Sequence, residues 1–264
     1  MKKKLITALV LTASAILLVC ASVLGTMAFL MSSFVVTNTF TVGEVGIEMY
    51  ESKTNDGGQY VDADGNVAGT SYLVNGKKTA DANTYKLVPN KTYIKDPTIY
   101  VKAGSVESYL FVKVKNDIAS IECNNVEHTE HLTIAQQLQN NGWQLVKENN
   151  ETNEKLYLYV GESNATDKIP GTDGAALPSA IVPKLAGGNN AEQYDLFSNF
   201  TVSNDCGDVL PNYGAAKIIL TAFAIQADDF NEENNGLAPY QNAWNTIIDK
   251  SSYVGTKFPA VANN

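Results

Sequence analysis

The chain has 264 residues and a formal net charge of −9, with 28 acidic residues against 19 basic ones. Every cation is lysine, so the bidentate guanidinium forks that commonly grip phosphate and carboxylate are missing. An acidic, arginine-free chain is a poor partner for nucleic acid and a poor frame for a nucleotide enzyme.

The first element in the chain is a leader over residues 1–28. Lys2, Lys3 and Lys4 precede an uncharged run from Leu5 to Leu24 and a small-residue patch, Gly25-Thr26-Met27-Ala28. That order matches a secretory signal peptide, with Thr26 and Ala28 as the small positions a signal peptidase reads and cleavage expected between Ala28 and Phe29. The run exceeds the ~7–15 residues of a usual signal core and approaches the ~20 that span a bilayer, so retention as an anchor is the alternative. With cleavage, the chain meets the membrane only transiently. Cys20 does not read as a lipidation site, because bulky Val19 stands where a small residue is wanted. Cleavage leaves Cys123 and Cys206, which outside the cell are either a candidate disulfide or two buried free thiols.

Residues 29–264 read as a single, mainly β domain of antiparallel strands with short helical insertions. Strand patterns fall at 34–42, 45–50, 72–74, 98–102, 109–115, 156–160, 197–203 and 216–226. The N-terminal strand segment is residues 29–50; the stretch VTNTFTVGEVGIEMYE, residues 36–51, alternates polar with apolar, and Phe34, Val36, Phe40 and Val42 share one face. Residues 34–42 have no earlier strand with which to form a hairpin. In SYLFVKVKN, Leu110, Val112 and Val114 lie opposite Lys113 and Lys115, the pattern of a strand covering a core on one side only. AAKIILTAFAIQ is apolar on both faces and is expected inside a sheet, covered on both sides.

Asp64-Gly65 and Asn75-Gly76 are hairpin signals. Thr133 with Gln136 three residues on is a capping-box spacing. It predicts a short helix with Ala135, Leu138 and Leu145 on one face and Gly142 at its C-terminal end. Tyr240, Ala243, Trp244, Ile247 and Ile248 fall at helical spacing and predict a second helix. Residues 161–195, rich in Gly, Pro, Asn and Asp, read as a long loop excursion.

Sites with chemistry are few. His128 and His131, with Glu130 between them, are weak metal candidates, because H-x-x-H is not the H-E-x-x-H spacing that puts two ligands on one helical face. Asp62, Asp64 and Asn66 alternate like calcium ligands, but Gly65 and Leu73 occupy the wrong places for an EF-hand loop, and a hairpin tip is the better reading. No nucleophile motif or phosphate loop stands out, so neither a catalytic residue nor a cofactor is expected.

The junction Gly25-Thr26-Met27-Ala28-Phe29 followed by VTNTFTVGEVGIEMYE resembles the start of the TasA/camelysin group. These are surface and biofilm-matrix proteins of Gram-positive bacteria, exported through the SipW-type signal peptidase. YKLVPNKTYIKDPTIYVKAGSVESYLFVKV, NNGWQLV, LTAFAIQADDF and QNAWNTI also look like segments of its larger members, so the likeness covers most of the chain outside about 160–195. The resemblance implies a jelly-roll-like antiparallel β-sandwich with short helical insertions, secreted to the extracellular matrix or cell surface. It implies a homopolymer too, in which the N-terminal strand of one copy completes the sheet of the next. The expected partners are other copies of itself, a SipW-type signal peptidase and other matrix proteins. Two alternatives stand beside a fibre subunit: a camelysin-like secreted metalloprotease, for which only His128, Glu130 and His131 offer ligands, and a monomeric surface binding module of the same fold.

Overall fold

The computed structural model describes residues 31–35, 38–40, 45–123, 131–162, 164–165, 192–228, 230, 234, 236–250 and 257–258. Strands and helices are numbered in chain order. The strands are β1 (Met31–Val35), β2 (Asn38–Phe40), β3 (Ile47–Tyr50), β4 (Thr92–Ile94), β5 (Thr98–Val101), β6 (Ser108–Asn116), β7 (Trp143–Asn149), β8 (Glu154–Tyr159), β9 (Glu192–Asp195), β10 (Asn199–Thr201) and β11 (Ile218–Gln226). The helices are α1 (Ile134–Asn140) and α2 (Pro239–Lys250). Among the described residues every pairing is antiparallel: a six-stranded sheet in the order β2-β1-β11-β6-β8-β7, a three-stranded sheet β3-β5-β9, and the pair β10-β4. Among the described residues no helix is long and apolar enough to cross a membrane.

The large sheet buries both faces. Leu110, Val112 and Val114 of β6 and Leu220, Ala222 and Ala224 of β11 share a core with the smaller sheets and α1. Tyr109, Phe111, Phe223 and Ile225 face the other way, into a second core capped by Tyr240, Ala243, Trp244 and Ile247 of α2. Trp244 lies 5.2 Å from both the Phe111 and Phe223 rings. Burial of each such side chain stabilises the fold by roughly 1.5–3 kcal/mol, so the helix stays on the sheet through its apolar stripe. β11 is thus covered on both sides as expected, although Ile219 at its start is 40% exposed. The one-sided expectation for β6 is corrected, because α2 comes from more than 100 residues downstream to cover Tyr109 and Phe111.

α1 starts where the capping box predicts: the Thr133 side chain accepts from the Gln136 N–H, and the Gln136 side chain accepts from the Thr133 N–H. Its buried residues are Ile134, Gln137 and Leu138, whereas Ala135 is exposed. Leu145 belongs to β7, not to the helix. A bulge between Leu145 and Lys147 breaks the alternation of β7 and hides it from a period-two reading. The 72–74 segment forms only the Val74↔Lys77 bridge of a turn through Asn75 and Gly76, at φ 51° and 77°. Both positive angles suit the type I′ turn that Asn-Gly favours.

Two further boundaries change. The excursion expected to run to residue 195 ends earlier, because Glu192–Asp195 pairs with β5 as an edge strand; its mostly exposed side chains carry no apolar signal, and the backbone ladder defines it. The single strand expected over 34–42 is two strands, β1 and β2, paired with each other in the register Phe34↔Thr39. Strand β1 also lies along β11 of the same chain, from Met31↔Ile225 to Val35↔Thr221.

Candidate functional site

Strand β11 is paired along its whole length with β6, but on its other edge β1 reaches only from Ile225 to Thr221. Among the described residues, Ile218, Ile219 and Leu220 have no strand on that edge. A groove of about 870 Å³ opens there, at the upper end of the ~300–1,000 Å³ typical of ligand clefts. Its walls are Met49 and Tyr50 of β3, the segment 81–87, and the turn carrying Leu210 and Tyr213. The lining is largely apolar and ends at an open sheet edge, a combination suited to an extended chain segment: backbone groups could pair with β11 while alternate side chains fill the walls.

One end of the groove is polar. Glu51, 3% exposed, accepts from Lys95 Nζ at 2.6 Å and from the Asn83 side-chain amide at 2.8 Å. Tyr85 stands over Lys95, with Nζ 5.9 Å from the ring centre, and meets the Tyr93 and Phe200 rings edge-on at 5.8 and 5.4 Å. Burial pushes the Tyr85 hydroxyl well above its ordinary value, and the Glu51 charge adds to the shift. A second, more polar cavity of about 420 Å³ is lined by Tyr60, Lys78, Asp96, Asn140 and Asp195. There Lys78 Nζ is 3.2 Å from the Asp96 carboxylate and donates to the Thr98 hydroxyl at 2.7 Å.

His131 is half-buried, with Nδ1 3.3 Å from the Thr201 hydroxyl, which itself bonds the Thr92 hydroxyl at 2.7 Å. His128 and Glu130 lie outside the described residues. Among the described residues no group of three His, Cys, Asp or Glu side chains is placed to hold a metal. The Asp62-to-Asn66 stretch is a hairpin tip: Asp62 Oδ1 accepts from the Asn66 and Asp64 N–H groups at 2.8 and 3.0 Å, bonds that hold its carboxyl below the usual range. Cys123 and Cys206 are free thiols; Cys206 is buried and donates to the Ser203 carbonyl at 2.9 Å. Phe34 lies in β1 and Phe40 in β2, while Ala28, Phe29, Val36 and Val42 lie outside the described residues. The groove wall at 81–87 was invisible to periodicity because it is neither strand nor helix. The Glu51–Lys95 pair joins residues 44 positions apart and carries no sequence signal.

Beside Cys123, Glu122 ties the start of α1 to the sheet. One carboxylate oxygen accepts from the Ile134 N–H at 2.7 Å and the other from the Asn116 amide. Burial pushes its carboxyl above the ordinary 4.5, and the two donors offset this only in part. The native state therefore keeps a proton that the unfolded chain has lost, so this contribution to stability is complete below the unfolded value and is lost as pH rises through the folded one. Thermal melts from pH 4.5 upward should show Glu122→Gln losing less stability than the wild type; parallel curves would refute the assignment.

No protein-family model matches the chain, and no curated protein or solved structure matches it significantly.

Proposed function

We propose that the chain is a secreted structural subunit of extracellular fibres, of the TasA/camelysin kind that its N-terminal junction resembles, assembled when one copy lends its N-terminal strand to the next. The observation that carries this reading is the β11 edge at Ile218–Leu220, unpaired among the described residues, beside an apolar groove and directly in line with the place where β1 docks. The large sheet stacked on the smaller ones supports a jelly-roll-like sandwich as the frame.

Within one chain β1 already occupies part of that edge, and intramolecular pairing is favoured by a high effective concentration. Exchange then needs a gain that the closed form lacks. A neighbour's strand could continue past Thr221 along Leu220, Ile219 and Ile218, adding backbone bonds of about 0.5–1.5 kcal/mol each and apolar burial in the groove. Continued in the register of β1, residues 36 to 38 of the neighbour would oppose Leu220 to Ile218, so Val36 would serve that extension and Phe40 and Val42 would run beyond it. The same closed pairing supports the monomeric surface module as a second reading.

Deleting residues 29–42 tests the mechanism. The truncated protein should not polymerise, and adding the 29–42 peptide should cap its open edge as a soluble complex. Fibres formed as readily by the truncated chain in electron micrographs would end the donor-strand reading. A paired change, Ser32→Cys with Ala224→Cys at opposed register positions, should lock β1 in its own sheet, abolish fibres and release them on reduction. Fibres unaffected by that lock would count equally against it.

A further inference from the structure

The Glu51 carboxylate holds two groups that can react with each other. Lys95 Nζ is 2.6 Å from Oε2, and the Asn83 amide nitrogen is 2.8 Å from Oε1. Glu51 and Lys95 are 3% and 8% exposed, so both charges sit away from bulk water. The Tyr85, Tyr93 and Phe200 rings form an aromatic cluster over this end of the groove. Asn83 is oriented twice more: its Oδ1 accepts from the Thr54 N–H at 2.9 Å, and its Nδ2 also donates to the Ser52 carbonyl at 2.8 Å. A lone structural ion pair needs neither the amide nor its fixed orientation.

We propose that Lys95, Glu51 and Asn83 form a self-modifying site that joins the Lys95 side chain to the Asn83 side chain through an isopeptide bond. The Lys95 ammonium passes one proton to Glu51, and the resulting amine attacks Asn83 Cγ to form the new C–N bond. The carbonyl electron pair moves onto Oδ1, where the Thr54 N–H stabilises the developing charge as an oxyanion-hole donor does. The carbonyl then reforms and the Cγ–Nδ2 bond breaks with its electron pair staying on nitrogen. Nδ2 takes the proton held by Glu51 and a second from the attacking nitrogen, and leaves as ammonium. One ammonium and one primary amide thus become one secondary amide and one ammonium, with no oxidant, water or cofactor consumed.

Glu51 acts as base and then as acid, a role that needs a carboxylate within hydrogen-bond reach of both nitrogens. Attack requires Nζ to come within about 3–3.5 Å of Cγ, and holding both nitrogens on one carboxylate makes that approach a local side-chain movement in place of a bimolecular encounter. All three residues line the groove, which gives ammonium a way out. The product closes a loop between residues 83 and 95 and fixes the 81–87 wall to the end of β4. It does not depend on strand exchange: a monomer would carry it as well.

The test is the intact mass of the purified full chain under denaturing conditions, compared with the mass of its sequence from the measured N-terminus. The expected result is a loss of about 17 Da, one ammonia, with a tandem spectrum in which the peptide containing Lys95 is joined to the one containing Asn83. Lys95→Met, Asn83→Ser and Glu51→Gln should each restore their own sequence mass, the last because an amide cannot relay the proton. A wild-type chain at full sequence mass overturns the proposal. So does a 17 Da loss confined to a single peptide, which would be a succinimide at another asparagine, and so does a cross-link that persists in Glu51→Gln.

Discussion

Phe223→Asp should yield no folded protein, whereas Ile219→Asp, four residues earlier on the same strand and the same face, should fold. Phe223 is 2% exposed and packs edge-on against Trp244, between β11 and α2. An aspartate there loses an aromatic contact surface whose removal alone costs about 3–5 kcal/mol. It also puts an unpaired carboxylate, or the neutral acid, where the neighbours are Phe111, Ile225 and Trp244. Together these terms approach the whole ~5–15 kcal/mol that holds a domain together. Ile219 is 40% exposed, so its aspartate keeps most of its hydration. Circular dichroism and soluble yield report the outcome. A cooperative melt for Phe223→Asp would mean that α2 does not cover this face in solution.

Gly142→Val is expected to cost roughly 2–5 kcal/mol, through strain and collision together. Gly142 follows α1 with φ +87°, in the left-handed region that a β-branched residue strongly resists. A Cβ there would meet backbone atoms, Gly161 C at 2.6 Å and Glu162 N at 2.7 Å, so no side-chain rotation relieves it. The Gly142 carbonyl also accepts from the Val160 N–H at 2.8 Å, which keeps the helix exit against the end of β8. Chemical denaturation should show a lower midpoint with little change in slope, since the surface exposed on unfolding is the same. A midpoint equal to wild type would show that the 142–162 approach is looser than described.

What the sequence determined by itself was local. The capping box at Thr133, the Asn75-Gly76 turn, the two-sided strand at 218–226 and the apolar stripe of α2 are written in neighbouring residues, through hydrogen-bond reach, allowed φ and side-chain period. Glycine at 142 was legible for the same reason, as the end of a helix, though not as the point where residues 161 and 162 come close. Tertiary structure decided whatever depends on which segments meet. Leu145 changed from helix to strand because β8 pairs with it, and Glu192–Asp195 became an edge strand on the backbone ladder of β5 alone. The second face of β6 was buried by a helix that its own alternation could not announce. The groove and the Glu51, Asn83 and Lys95 cluster belong to the same class: three polar residues in unrelated local settings come together only when pairing and packing bring Lys95 and Asn83 onto the buried Glu51 carboxylate.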